Sequence, residues 1–316
     1  MMKAFVTGAA GQLGFDLALT LARRGYEVIG SDLSLGQKSP EVVPFVPLDI
    51  TDEEAVRKTI RKIKPDAVFH CAGWTAVDAA EEAENRETVF AVNADGTRNI
   101  AEACRETDAK MLYISTDYVF SGQGTAPWEA DCSSFAPLNV YGQSKLMGEQ
   151  AVRDILEKYF IVRIAWAFGV HGKNFVKTML SAGRKRDTVR VVNDQIGTPT
   201  YTADLARLLA DMAETDKYGC YHATNEGGYI SWYDFTREIY RQAGLSTAVI
   251  PVTTAEYGLS KAARPLNSRL EKSKLVRMGF QPLPDWRDAL KHYLKETGES
   301  SVIEACGTPV ASAENL

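Results

Sequence analysis

Short β-rich runs alternate with longer helical patterns through the first half of this 316-residue chain, and the alternation constrains the fold more than any other feature. Parallel strands need a crossover connection, which a helix packed on the sheet provides in a right-handed sense. The pattern therefore predicts an α/β protein with a doubly wound parallel sheet. The predicted strands are residues 4–6, 27–30, 43–48, 67–71, 111–115 and 161–164, and the clearest predicted helices are 52–63 and 86–106.

A glycine-rich turn joins the first predicted strand to the first predicted helix. It carries Gly8, Gly11 and Gly14. Glycine allows a tight turn and a close approach of the backbone to a pyrophosphate, while the helix N-terminus offers free N–H groups. Because the motif lies between a strand and a helix, it predicts a Rossmann-type dinucleotide site rather than a plain turn.

Acidic residues follow the second and third predicted strands. Asp32 is placed to accept hydrogen bonds from the adenine ribose 2′-OH, which favours NADH, although a simple turn-forming role is also open. The nearest basic feature is Gln37–Lys38. Asp49 and Ile50 are placed to flank the adenine. The sequence leaves the choice between NADPH and NADH open.

The second half of the chain has shorter strands, more Tyr and Trp, and loops that contain proline. It predicts a smaller mixed α/β C-terminal substrate domain packed on the first. We expect an NAD(P)-binding Rossmann domain over residues 1–165, to which later segments return, and a mainly substrate-binding region over 166–296. Residues 297–316 are polar and aperiodic, which is typical of a disordered tail.

Charge and cysteine content bear on the possible partners. The net charge is −5. Nucleic-acid-binding proteins usually carry a basic field, so we expect no nucleic-acid partner. No apolar run approaches about 18 residues and the N-terminus lacks the pattern of a signal peptide, so we expect no membrane partner and no secretion. The five cysteines are scattered without a Cys-x-x-Cys pair. This indicates a reduced, cytoplasmic protein, and no residue spacing predicts a metal site.

Tyr141 and Lys145 form the candidate catalytic pair, because residues four apart share one face of a helix. An ammonium group near a phenol lowers the tyrosine pKa from about 10 toward neutral. The tyrosine can then exchange a proton with a carbonyl oxygen. Such a pair alone is also typical of a solvated helix face. Behind a dinucleotide turn and a strand that ends in Ser115–Thr116, it predicts catalysis.

These features together resemble the extended short-chain dehydrogenase/reductases, over about residues 3–296. The glycine spacing is the G-x-x-G-x-x-G pattern of that family. Residues 65–73 look like its fourth strand and cofactor-flanking turn, and residues 93–97 look like its central-helix signature. Longer stretches narrow the resemblance to the dTDP-4-dehydrorhamnose reductase subfamily; they are 74–81, 115–120, 137–146, 193–200 and the run 264–290.

The resemblance implies NAD(P)H-dependent reduction of the C4 ketone of a dTDP-linked 4-keto-6-deoxyhexose. Tyr141 would protonate the developing alkoxide, Lys145 would hold the nicotinamide ribose and keep the tyrosine acidic, and Thr116 would donate a hydrogen bond to the ketone oxygen. The implied sugar-site residues are Thr116, Asp117, Tyr118, Val77 and Trp166. The implied cofactor residues are Gly8, Gly11, Gln12, Leu13, Gly14, Asp32, Asp49, Ile50, Gly73, Trp74, Thr75, Tyr141 and Lys145. Some members bind Mg²⁺ through acidic residues near a dimer contact, and Asp16 stands where a longer acid is frequent.

Several alternatives stay open. A regulatory subunit of methionine adenosyltransferase has a similar fold and comparable motifs, and it would bind a cofactor without turnover. Another nucleotide-sugar 4-ketoreductase or a 4-epimerase is a second alternative, whereas Tyr118 in place of a second carboxylate disfavours a dehydratase. Trp166 also fits a core aromatic, and Arg184–Arg186 fits either a solvated helix end or a diphosphate contact. A monomer and a homodimer are both open.

Overall fold

The structure, a computed structural model, describes residues 1–33 and 43–300 and is built around one seven-stranded sheet. The strands are β1 (Lys3–Thr7), β2 (Glu27–Asp32), β3 (Phe45–Pro47), β4 (Ala67–His70), β5 (Lys110–Thr116), β6 (Tyr159–Ile164), β7 (Ala167–Phe168), β8 (Thr188–Val192), β9 (Ile196–Gly197), β10 (Thr200–Tyr201), β11 (Gly219–His222), β12 (Ile230–Ser231) and β13 (Ala248–Val252). The sheet order is β11-β6-β5-β4-β1-β2-β3, and all its neighbours are parallel. This confirms the predicted doubly wound sheet.

Helices cover both faces of this sheet. The helices of the described residues are α1 (Gln12–Arg23), α2 (Glu53–Ile63), α3 (Arg86–Phe90), α4 (Gly96–Thr107), α5 (Val140–Ile155), α6 (Phe175–Gly183), α7 (Thr202–Ala213), α8 (Trp232–Ala243), α9 (Thr254–Tyr257), α10 (Ser273–Arg277) and α11 (Trp286–Glu296). On one face Leu17 of α1 and Leu205 of α7 are fully buried, and on the other Ile60, Ile100 and Val152 of α2, α4 and α5 are. A sheet covered on both faces leaves the crevice at the carboxyl ends of its strands for a ligand.

Two predicted elements differ in detail from the structure. The single predicted helix 86–106 is divided into α3 and α4 by a π-helical turn at Ala91–Asp95. The predicted strand 43–48 pairs only as β3, Phe45–Pro47. Pro47 lacks an N–H group, and a proline is tolerated there because β3 is the edge strand.

The later part of the chain contributes the seventh strand and a second core. β11 pairs with β6 in the register Gly219–Phe160 to His222–Arg163. The pairs β10–β7, β12–β9 and β13–β8 form small separate sheets. Their core contains Phe168, Phe235 and Trp286. Glu299, beyond α11, forms an ion pair with Arg184, and residues 301–316 of the predicted tail lie outside the described residues.

Capping side chains explain where the site-bearing helices begin. The Asp52 carboxylate accepts from the Ala55 N–H at 2.9 Å, as expected for a residue at that end of α2. The Asn139 side chain accepts from the Gly142 N–H at 2.8 Å. α5 therefore begins at Val140, and Tyr141 lies in its first turn. No helix in the described part of the chain is both long and apolar enough to cross a membrane.

A fully buried ion pair fastens α5 to the sheet. Arg163 of β6 donates from Nη2 to Glu149 Oε2 at 2.7 Å and from Nε to Oε1 at 2.8 Å. Ser115 of β5 donates to the same Oε1 at 2.6 Å. Both charged side chains have 0% exposure. The pair joins α5, β5 and β6 below the carboxyl ends of the two strands.

We expect Glu149→Leu to lower the free energy of unfolding by about 3–5 kcal/mol, because it leaves the Arg163 guanidinium buried without a counter-charge. Urea unfolding followed by far-ultraviolet circular dichroism measures the loss. Arg61→Ala is the control, since it removes an exposed ion pair with Glu106 and is expected to cost at most about 1 kcal/mol. A loss for Glu149→Leu no larger than the control's contradicts the prediction.

Candidate active site

One cavity of about 1100 Å³ lies where β1, β2, β4, β5 and β6 end. Its volume exceeds the usual range of about 300–1,000 Å³ for a site that holds one small ligand, which suits two ligands side by side. Of the residues predicted for the site, the cavity is lined by Gly8, Gly11, Gln12, Leu13, Asp32, Asp49, Ile50, Gly73, Trp74, Thr75, Val77, Thr116, Asp117, Tyr118, Tyr141, Lys145 and Trp166. The structure thus brings together every predicted site residue except Gly14.

The glycine turn fits a diphosphate. Gly8 has φ +68°, and a Cβ there would lie 2.6 Å from the Ala72 backbone nitrogen, so only glycine fits. Gly14 lies behind the turn, where a Cβ would collide with the Gly8 carbonyl group. Its role is the close packing of α1 on the turn. Gly11 is the N-cap of α1, and no side chain of the described residues caps it. The first N–H groups of α1 are therefore left for an anion.

Asp32 is held at the edge of this turn. Its carboxylate accepts from the Ala10 N–H at 3.2 Å and from the Leu33 N–H at 2.9 Å. Asp49 has a local role as well, because it accepts from the backbone and side chain of Thr51. The nearest basic feature in the sequence, Gln37–Lys38, lies outside the described residues.

The loop after β4 is fixed by Asn93, which sits in the π-helical turn. Asn93 accepts from the Trp74 N–H at 2.8 Å and donates to the Trp74 carbonyl oxygen at 3.1 Å. It also donates to Ser144 of α5 at 2.9 Å. Asn93 is therefore a positioning residue for the cofactor-side loop. Residues 93–97 resemble a family signature, but that resemblance alone does not indicate that Asn93 binds the loop after β4.

A 3₁₀ turn at Asp117–Val119 carries two of the predicted sugar-site residues, Asp117 and Tyr118, and Thr116 is its N-cap. The Thr116 hydroxyl accepts from the Tyr118 N–H at 3.2 Å and donates to Asp117 Oδ1 at 3.1 Å. Asp117 is 3% exposed, and its Oδ2 finds no hydrogen-bond partner within residues 1–33 and 43–300. Burial raises the pKa of Asp117 to about 7, and its hydrogen bonds oppose the rise. Ser268 and Thr116 both contribute hydrogen bonds that oppose the rise, and Asp117 also lines the cavity.

The electrostatics of Tyr141 differ from the sequence prediction. Burial raises the pKa of Tyr141 above its ordinary value, and the charge of Asp117 adds to the rise. The expected lowering of this pKa by Lys145 is absent, and a hydrogen bond with Thr116 opposes the effect of burial only in part. Burial also lowers the pKa of Lys145 to about 7, and Glu149 opposes that shift. The Lys145 ammonium lies 4.1 Å from the centre of the Tyr113 ring.

Trp166 was predicted either to line the sugar site or to pack as a core aromatic, and the structure shows both cavity lining and aromatic packing. It lines the cavity and stacks on Trp232 with ring centres 3.7 Å apart. Its φ is +51°, a left-handed conformation that is strained for a bulky residue. Trp232, Lys173 and Thr202 also line the cavity. These three residues were not predicted, because they lie far from the glycine turn in the chain and outside every recognised motif.

Asp16, which the resemblance relates to a possible Mg²⁺ site, is hydrogen-bonded within the chain. Its carboxylate accepts from the Thr202 hydroxyl at 2.5 Å, and burial raises its pKa to about 6. Among the residues that the structure describes, no group of three or more His, Cys, Asp or Glu side chains could hold a metal ion.

Comparison with known proteins places these features in one family. The family model described as the RmlD substrate binding domain matches residues 2–299. A dTDP-4-dehydrorhamnose reductase of Streptomyces griseus is 42% identical over 291 residues, 90% of either chain. The spore coat polysaccharide biosynthesis protein SpsK of Bacillus subtilis is 38% identical over 94% of this chain and 98% of its own.

Solved structures give the same result. The dTDP-4-dehydrorhamnose reductase of Bacillus anthracis, in complex with NADP, superposes with a TM-score of 0.86 at 39% identity, over 94% of this chain and 100% of that one. The UDP-glucose 4-epimerase of Thermus thermophilus, in complex with NAD, superposes with a TM-score of 0.79 at 21% identity. At that identity it shows the shared fold alone.

We expect Asp117→Asn to stabilise the protein at pH 8 and to have little effect near pH 4. The folded-state pKa of about 7 lies above the ordinary value of 3.8. As the pH rises between these values, the unfolded chain releases the proton first, so this group lowers the stability of the wild type. Thermal unfolding midpoints at the two pH values test this, with the exposed Asp154→Asn as control. An effect of equal size at both pH values contradicts it.

Proposed function

The chain belongs to the RmlD substrate binding domain family, and from that membership we propose that it is an NAD(P)H-dependent reductase that converts dTDP-4-dehydrorhamnose (dTDP-4-dehydro-6-deoxy-L-mannose) to dTDP-L-rhamnose. This places it in deoxysugar and cell-surface polysaccharide biosynthesis. The observation that carries the proposal is one cavity lined by a diphosphate-type glycine turn, the pair Tyr141 and Lys145, and the Thr116–Asp117 pair at the end of β5.

NADPH or NADH would bind at the glycine turn and supply the hydride. The N–H groups at the start of α1 would hold the diphosphate, and Gly8 would let the backbone approach it. Asp32 would contact the adenine ribose, and Asp49 with Ile50 would flank the adenine. Gly73, Trp74 and Thr75 would form the wall beside the nicotinamide half, which Asn93 keeps in place.

Tyr141 would act as the general acid at the C4 oxygen of the sugar. A reduction needs a proton donor that still holds its proton at neutral pH, and the raised pKa of Tyr141 meets that condition. An alkoxide is a far stronger base than a phenolate, so the transfer stays favourable. Lys145 would hold the nicotinamide ribose and supply positive charge as the tyrosine loses its proton.

Thr116 and Asp117 would prepare the carbonyl end of the site. The single proton of the Thr116 hydroxyl points to Asp117 in this structure. A hydrogen bond from Thr116 to the ketone oxygen therefore requires that proton to turn toward the substrate. The carboxyl group of Asp117 would accept from a sugar hydroxyl, while Val77, Tyr118 and Trp166 would enclose the sugar ring.

Both halves of the chain would contribute to this site. We propose that residues 1–165 hold the cofactor, with β11 returning to their sheet, and that residues 166–296 mainly form the sugar side. Trp166, Thr202 and Trp232 support this division because they line the cavity from the second half. The cytoplasmic location and the choice between monomer and homodimer stay predictions.

We expect Tyr141→Phe to lower the turnover of dTDP-4-dehydrorhamnose by about 10²–10⁴-fold, since it removes the acid, and to change the Kd of NADPH by less than about twofold. The absorbance of the reduced nicotinamide follows turnover, and fluorescence titration follows binding. Tyr257→Phe, at an exposed tyrosine, is the control. A wild-type chain that binds NADPH without turnover supports the regulatory-subunit alternative, whereas normal turnover of Tyr141→Phe removes the acid role.

We expect Asp32→Asn to raise kcat/KM for NADPH relative to NADH by about tenfold, because it removes a negative charge where NADPH carries its 2′-phosphate. Steady-state kinetics with each cofactor measure the ratio. Glu27→Gln, at the exposed start of the same strand, is the control. An unchanged ratio shows that Asp32 does not contact the ribose edge.

A further inference from the structure

The Tyr118 hydroxyl, at the sugar end of the cavity, is bound from behind by Arg264. Arg264 Nη1 donates to the Tyr118 oxygen at 3.2 Å. Tyr118 lines the cavity, whereas Arg264 lies behind it and is not part of the lining. The Tyr118 ring also meets the Tyr141 ring edge-on, with centres 5.6 Å apart. Arg264 therefore touches the site through Tyr118.

Arg264 is itself held on two sides. Its Nη2 donates to Asp78 Oδ2 at 2.6 Å, and its Nε donates to Ser260 at 3.2 Å. Asp78 also accepts from the Ala262 N–H through Oδ1, at 3.1 Å. Asp78 directly follows Val77 of the cavity wall. The guanidinium thus links the loop after β4, the 3₁₀ turn of Tyr118 and the segment 260–264.

The direction of the Arg264–Tyr118 hydrogen bond is fixed by chemistry. A guanidinium only donates, so the phenol oxygen must accept. The phenol proton is then left over, and among the residues that the structure describes none accepts it. Burial raises the pKa of Tyr118 to about 12, so the hydroxyl keeps its proton at neutral pH.

We propose that Arg264 is a positioning residue that turns the Tyr118 hydroxyl into a hydrogen-bond donor aimed at an oxygen of the bound nucleotide-sugar. Without Arg264 the hydroxyl rotates freely and its oxygen has no partner. The Asp78 carboxylate balances the arginine charge, so the substrate meets a neutral donor rather than a cation. A sugar oxygen at the right place completes the bond, and a sugar that lacks it leaves a buried donor unpaired. This inference rests on the proposed function.

A double-mutant cycle between Arg264→Met and Tyr118→Phe tests the inference. Each single variant is expected to raise the KM for dTDP-4-dehydrorhamnose by about tenfold, the size of one lost buried hydrogen bond, with kcat changed by less than about threefold. The KM for NADPH stays within about twofold of the wild type. The double variant shows no further loss beyond Tyr118→Phe, because Arg264 acts through that hydroxyl. Arg264→Lys recovers part of the loss.

Lys261→Met is the matched control. Lys261 lies in the same segment and forms an ion pair with Glu82 at 2.6 Å, close to the Asp78 anchor. If Arg264 only fastened the segment, Lys261→Met and Arg264→Met would raise the KM alike, which overturns the proposal. Additive losses in the double variant, or an unchanged sugar KM in Arg264→Met, also overturn it.

Two further measurements keep the outcomes separate. Should Arg264→Met not fold, as judged by its thermal transition and NADPH binding, the same cycle is run with Arg264→Lys. Its smaller rise in the sugar KM must then vanish in the Tyr118→Phe background. Calorimetric titration with dTDP-L-rhamnose repeats the cycle as binding. A wild type that neither turns over nor binds the nucleotide-sugar refutes the proposed function, whereas an active wild type without coupling refutes only this inference.

Discussion

The buried ion pair between Glu149 and Arg163 is the interaction on which the geometry of the site depends. Glu149 lies on α5, one helical turn beyond Lys145 and two beyond Tyr141, and Arg163 lies on β6. The same carboxylate accepts from Ser115, the residue before Thr116. The Glu149 carboxylate therefore fixes the position of Tyr141 and Lys145 along the sheet relative to the end of β5. A buried pair gains little net stability, since desolvation offsets its attraction, but it tolerates no shift of α5 along the sheet.

Burial is the main influence on the titratable residues above this ion pair. Burial raises the pKa values of Tyr141 and Asp117 and lowers that of Lys145, so in each case the neutral form is favoured. Glu149, whose two carboxylate oxygens bind Arg163, partly opposes the shift of Lys145. The raised pKa of Tyr141 keeps its proton in place until charge develops on the substrate, and Lys145, with a pKa of about 7, stays partly protonated beside it. This suits an acid that acts only when an alkoxide forms.

Local sequence signals predicted much of the fold, and long-range contacts account for what they missed. The alternation of strands and helices, the glycine turn and the Asp52 cap all depend on neighbouring residues. The place of β11 beside β6 depends on a pairing between residues about sixty positions apart in the chain, which no local pattern encodes. Arg264 reaches Tyr118 across 146 positions. The predicted lowering of the Tyr141 pKa is wrong, because residue spacing reveals a nearby lysine but not how deeply the tyrosine is buried.

Strain at Trp166 explains why the cavity requires both halves of the chain. A tryptophan with φ +51° costs on the order of 1–3 kcal/mol, so it persists only where surrounding contacts fix it. Those contacts come from later residues: the Thr200 N–H donates to the Trp166 carbonyl oxygen at 3.2 Å, and Trp232 stacks on its ring. Gln12, beside the glycine turn, likewise accepts from Asn174 at 3.0 Å. Without the contacts from Thr200 and Trp232, Trp166 would relax away from the cavity. The shape of the cavity therefore depends on contacts between residues that are distant in the chain.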